Sequence, residues 1–154
     1  MTRLFLLVIS IFIFAAGFCQ AQTPANSAVK KGVVISAVTA AKASPAYAEI
    51  LLRRTERQSE IEELLINYTE EFPKVKEIKY ELSLIQKDLD KIAAVSAAES
   101  GRLTLALGKL MVRKIEIETD LWNLQRQYNN DHPEVKRAKR KIEVFEKAIR
   151  EIIP

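Results

Sequence analysis

With 154 residues the chain has room for one domain or two very small ones. The 24 Lys and Arg against 20 Asp and Glu give a formal charge of +4, which permits an anionic partner without demanding one. A single Cys and a single His leave no set of thiolates and imidazoles for a zinc-type site, and four isolated Gly form no phosphate-cradling loop.

The N-terminus reads as an export signal. Arg3 supplies a positive charge, Leu4 to Phe18 form an apolar run, and Gly17-Phe18-Cys19-Gln20-Ala21-Gln22 follows as small and polar residues. The run is short for a spanning helix, which needs about twenty apolar residues. Residues 1–21 are therefore expected to be a signal peptide, cleaved after Ala21. Lipidation at Cys19 and retention as an uncleaved membrane anchor are the alternatives, and the bulky Phe18 before Cys19 argues against the lipidating peptidase. Ordinary cleavage would leave a mature chain without cysteine, hence without disulfides even in an oxidising compartment. The expected location is the periplasm.

Residues 22–44 are Ala-rich and polar and read as a flexible leader. Gly32-Val33-Val34-Ile35 within them fits either a short strand or the start of a helix. Ser44-Pro45 has the form of an N-cap followed by Pro at the first helical position.

From there the chain repeats itself with a shift of sixty residues. Arg53 matches Arg113, Glu56 Glu116, Leu64 Leu124, Tyr68 Tyr128 and Pro73 Pro133. Val75-Lys76 matches Val135-Lys136, Lys79 Lys139, Lys87 Lys147 and Ile92 Ile152. Val75, Ile78, Leu82, Ile85, Leu89 and Ile92 advance by alternating steps of three and four, as do Val135, Ala138, Ile142, Phe145, Ile149 and Ile152. Such a stripe lies on one helix face and needs a partner helix. Leu107, Leu110, Ile117, Leu121, Leu124 and Tyr128 keep the rhythm with Lys114 as a basic insertion. Tyr47, Ile50, Ile61, Leu64 and Tyr68 echo it, with Arg54 and Arg57 between.

Turns at Tyr68–Pro73 and Tyr128–Pro133 break each copy, because Pro disfavours helix in the residue before it and begins the next helix well. The predicted fold is all-α: two tandem antiparallel helical hairpins, residues 45–95 and 96–154, forming either a four-helix bundle or an extended pair. Ser96 and Glu99 in the linker have capping-box spacing.

The second turn, Tyr128 followed by His132-Pro133-Glu134-Val135, resembles the Tyr…His-Pro-x-Val turn of the periplasmic coiled-coil hairpins in polysaccharide chain-length determinant and exopolysaccharide export proteins. The first copy departs from that pattern, with Phe72 in the His position. The resemblance implies an envelope-facing helical hairpin and does not carry polymer-length control with it.

No residue set reads as catalytic, cofactor-binding or metal-binding. Asp131 or His132 is expected to cap the helix that Pro133 opens, the alternative being a weakly held ion among Asp131, His132 and Glu134. The carboxylates of Glu60, Glu62, Glu63, Glu70 and Glu71 are expected on solvated faces rather than in a cleft that would tune them. Candidate partner contacts are Trp122, whose alternative is core packing, and the basic set Lys136, Arg137, Lys139, Arg140 and Lys141, whose alternative is a solvated face. A Leu124→Asp change is expected to collapse helicity or assembly, and Glu118→Ala to leave both nearly intact.

The expected function is a non-enzymatic, exported scaffold or interaction protein of the bacterial envelope. Its partners would be itself, another envelope protein, an anionic polysaccharide or a membrane surface, but not nucleic acid. A holdase-type periplasmic chaperone is the alternative. The chain is similar in size and charge to the trimeric chaperone of outer-membrane proteins, although that family ends in strands where this sequence ends in a helical pattern.

Overall fold

Pro45, Pro73 and Pro133 each open a helix, as their fixed φ and missing N–H favour at a helix start. The computed structural model describes residues 38–153. Helix α1 spans Pro45–Asn67, α2 Pro73–Ala93, α3 Leu105–Gln127 and α4 Pro133–Ile152. A 3-10 helix, Ala97–Arg102, joins α2 to α3, and residues 38–42 are helical. There is no strand among the described residues, so the fold is all-α as the periodicity predicts. The predicted signal peptide, residues 1–21, and the ambiguous Gly32–Ile35 segment lie outside the described residues.

The caps repeat along with the helices. Ser44 Oγ accepts from the Tyr47 amide at 3.2 Å and Thr104 Oγ1 from the Leu107 amide at 3.3 Å, sixty residues on. Helices α1 and α3 are both 23 residues long, roughly 35 Å at 1.5 Å per residue. His132 Nδ1 accepts from the Glu134 amide at 3.3 Å and so caps α4, deciding for His132 over Asp131. Ser96 and Glu99 do not form a capping box; their side chains hydrogen-bond each other at 3.0 Å instead.

The packed unit starts earlier than the sequence reading places it. Ala41 is buried in the same cluster as Ala46, Ile50 and Leu103, and Ser44 Oγ donates to the Ala41 carbonyl at 2.6 Å. Residues 38–44 thus belong to the fold rather than to a flexible leader. A small alanine methyl carries little hydropathy signal, so composition alone hides it.

Each hairpin closes as its seam requires. Val75, Ile78, Ile85, Leu89 and Ile92 of α2 are buried, with Leu82 half-buried. On α4 Val135, Ala138 and Ile149 are buried, and Ile142, Phe145 and Ile152 are half-buried. The two hairpins lie side by side, not end to end. Helix α1 runs parallel to α3: the Ala46 amide donates to the Leu103 carbonyl at 3.2 Å, Gly108 lies against Ala46 and Glu49, and Arg53 reaches Glu116 at 3.5 Å. Both turns therefore sit at one end of the molecule and the α2–α3 linker at the other.

The packing is a stack rather than a closed square. Helix α1 packs on α2 and α3, α3 also packs on α2 and α4, and α4 has α3 as its main neighbour. A two-fold relation between the hairpins would make α4 pack on α1 as α2 packs on α3. The observed order is that of translational repeats, in which one face of each unit contacts the opposite face of the next.

Candidate functional site

Polar groups enter the core where the apolar stripe of α1 is interrupted. Arg53, rather than the predicted Arg54, turns inward, and Arg54 is exposed. Arg53 Nε donates to Glu81 Oε1 at 2.8 Å, and Arg57 Nε lies 3.3 Å from the same oxygen without hydrogen-bond alignment. Arg57 also pairs with Glu60 one turn on. Glu81 is buried against these two guanidiniums, and Arg53 extends the network to Glu116 on α3. Three helices are tied by one cluster.

A second cluster bridges α2 and α3. Asp88 is fully buried; Lys114 Nζ spans its carboxylate at 3.1 and 2.9 Å, and Lys91 adds a contact at 3.3 Å from the rim. Glu118 lies 3.6 Å from Lys114, and its Oε2 is buried without a hydrogen bond. Burial raises the Glu118 pKa above the ordinary carboxylate range; the charges of Asp88 and Glu146 push the same way, against the attraction of Lys114. Tyr80 is raised as well, by burial and then by the Glu118 charge. Glu118 is thus a poor surface control, because its carboxylate belongs to this cluster.

That assignment predicts a pH signature. A carboxylate raised in the folded state favours folding below its unfolded pKa, and that contribution is lost as pH rises through the folded value. Glu118→Gln removes the ionisation. Relative to the parent it should gain stability at neutral pH, with the advantage shrinking as pH falls to the ordinary carboxylate pKa. Urea midpoints of both proteins from about pH 4 to about pH 7, across which carboxylates titrate, check it. A variant weakened only at neutral pH would show that Lys114 outweighs desolvation.

Trp122 stacks on Tyr80 of α2 with ring centroids 5.1 Å apart, and the Arg126 guanidinium sits 4.8 Å from its ring. Its aromatic surface is thus used between the hairpins. The basic set lies elsewhere, on the first turns of α4. Lys136 pairs with Asp131 at 3.1 Å, Arg137 with Glu134 at 2.7 Å, and Lys139 with Asn130 at 3.0 Å. Arg140 lines a shallow groove with Lys136 and Arg137, and Lys141 is exposed. The fold does not bring Trp122 into contact with these cations.

At the turn end, Tyr68 stacks on Phe72 at 4.1 Å and Tyr128 on His132 at 4.0 Å, one ring pair per copy. His is thereby replaced by Phe without loss of the stack, although only His caps its helix. Beside the first turn is an open groove of about 500 Å³, lined by Phe72, Pro73, Lys74, Glu77, Asn123, Arg126 and Gln127. Within it Glu77 accepts from Lys74 at 2.5 Å and from Asn123 at 2.9 Å; partial burial raises its pKa, but these donors outweigh that and leave it lowered. The groove went unforeseen because Glu77 and Asn123 meet only through the stacking of hairpins.

None of these clusters pairs a nucleophile with a base. No group of three His, Cys, Asp or Glu among the described residues could hold a metal ion, and no helix there is long and apolar enough to cross a membrane.

Comparison with protein-family models, curated proteins and solved structures gave no match. The functional reading therefore rests on the molecule's own geometry.

Proposed function

We propose that the chain is a non-enzymatic, exported helical scaffold of the bacterial cell envelope, which works by associating with itself or with another envelope component. The observation that carries this reading is the stacked arrangement of two equal hairpins, with both turns at one end. Internal charges are consumed in tying helices together, whereas apolar side chains remain outside: Leu51, Leu52, Ile66 and Val144 are exposed, along with Tyr68 and Tyr128 at the turns. Scattered exposed apolar residues need no explanation, but Tyr68 and Tyr128 are exposed at the same position of each copy, and that repetition points to contacts. Export is supported by the signal-like N-terminus, and the envelope setting by the resemblance of the second turn to polysaccharide chain-length determinant hairpins. The basic start of α4 suits an anionic polymer or a membrane surface as a secondary partner.

Cell fractionation with a C-terminal tag, followed by light scattering on the purified chain and capture from the envelope fraction, tests the proposal. The expected result is an envelope-located chain that forms a defined oligomer, or that holds one partner which the Tyr68→Ala/Tyr128→Ala double variant releases. A cytoplasmic chain, or a monomer that retains nothing, would overturn it. Suppressed aggregation of several unfolded membrane proteins would instead favour the chaperone reading.

A further inference from the structure

The two copies differ most in what is covered. On α3, Gly108, Met111, Ile115 and Thr119 are buried and Val112 is half-buried, on the helix that α1 and α2 cover. Their counterparts sixty residues earlier, Ala48, Leu51, Leu52, Thr55 and Ser59, are all exposed on α1, with Leu51 40% and Leu52 57% accessible. The same holds at the other end of the stack. Leu84 of α2 packs against the main core, whereas its counterpart on α4, Val144, is 67% accessible. Each hairpin thus shows the half of the contact that its neighbour does not cover.

We propose that a second copy of this chain covers these faces, its α1 lying on α3 and α4 of the first as α3 lies on α1 and α2 within one chain. The proposal deepens the scaffold reading, on which it rests, by naming the partner and the geometry.

Charge supports it independently. Shifting each internal contact by sixty residues gives the pairs that would meet between copies. Arg53–Glu116, at 3.5 Å inside the chain, becomes Arg113 against Glu56. The Tyr80–Trp122 stack becomes Arg140 against Glu62. The Glu77–Asn123 hydrogen bond becomes Arg137 against Glu63. The buried Asp88–Lys114 pair becomes Ala148 against Arg54, with Glu151 in the place of the Lys91 that flanks the same groove. The first three shifted pairs are of opposite charge, and their six residues are exposed, as are Arg54 and Glu151. Like charges would have opposed assembly; interspersed opposite pairs fix register and partner. Where α1 meets α3 the contact between copies is looser than the one inside the chain: Gly108 against Ala46 and Glu49 becomes Ala48 against Ala106 and Lys109, and the Ala48 methyl holds the two helices slightly further apart.

Such an interface is heterologous: one face of the chain meets a different face of the next, so assembly grows head to tail. Repeat units that cannot bury their stacking face alone commonly extend in this way.

Two surface variants test it on the full chain. Leu51→Asp spoils the α1 face and leaves the α3–α4 face intact; Val144→Asp does the reverse. The parent should form concentration-dependent oligomers in sedimentation velocity. Each variant alone should be monomeric with unchanged helicity, because every contact needs one intact face of each kind. An equimolar mixture should give a dimer that grows no further, since the joined pair exposes only spoiled faces. Oligomers persisting in either variant, a mixture that stays monomeric, or a parent that is monomeric throughout would each overturn the inference. A monomeric parent that still holds an envelope partner would leave the broader scaffold reading standing.

Discussion

Replacing Lys114 by Met should destabilise the chain by about 3–5 kcal/mol, the usual cost of leaving one member of a buried ion pair alone. Asp88 has no accessible surface, and Lys114 is its only buried cation; Lys91, half-exposed at the rim, keeps the loss toward the lower figure. Glu118 loses its one opposing attraction at the same time, so its carboxyl is driven further upward and the variant should be least impaired at acid pH. A domain of this size is stable by roughly 5–15 kcal/mol, so the single change takes a large share. Lys114→Met combined with Asp88→Leu should recover most of the loss, because two apolar side chains replace the pair; what remains is the Glu118 carboxyl, which has lost the attraction of Lys114 along with the repulsion of Asp88. Urea denaturation of the parent, the two single variants and the double variant gives the cycle. Additive losses would show that Lys114 acts through its methylene stem rather than through Asp88.

Lys114 also shows how far the sequence can be read. It was visible as a cation interrupting an apolar stripe, and the stripe itself was legible because steps of three and four residues place Val75 to Ile92 on one face. The turns were legible too, since Pro73 and Pro133 dictate where helices begin. What took Lys114 into the core, however, is Asp88, 26 residues earlier on another helix, and no local pattern announces that meeting. The same holds for Arg53, which turns toward Glu81 while the periodicity favoured Arg54. A charged side chain can leave a seam by one position if a counter-ion waits there, and periodicity cannot see the counter-ion. Trp122 posed a choice between core and surface that only its Tyr80 neighbour decides. The basic residues of α4 are legible as a cluster, and so is the i,i+3 spacing of Glu134 and Arg137, yet the partners Asp131 and Asn130 come from the turn geometry.

The stacking of the hairpins was the least legible feature, and Gly108 is where it is most sharply tested. A Cβ at this position would stand 2.8 Å from Glu49 Cβ and 3.0 Å from the Ala46 backbone. Neither neighbour is the yielding tip of a flexible side chain, so α1 and α3 must part. Gly108→Leu should therefore loosen the contact between hairpins while sparing each hairpin's own seam. Overpacking of this kind costs about 1–3 kcal/mol or more, and the helix-propensity gain of about 1 kcal/mol over Gly offsets only part of it. Circular dichroism should show retained helicity at low denaturant, and unfolding should lose its single cooperative step, with the Trp122 fluorescence change preceding the loss of helix. That order is expected because the Tyr80–Trp122 stack lies between the hairpins. A matched control exists one repeat earlier: Ala48→Leu makes a comparable enlargement at an exposed site and should leave the monomer's stability unchanged. If both changes were equally harmful, helix α1 would be covered on that face within a single chain, and the translational stack would be wrong. If Gly108→Leu alone weakens the monomer and Ala48→Leu alone weakens head-to-tail assembly, the same contact is being read twice, once inside the chain and once between copies.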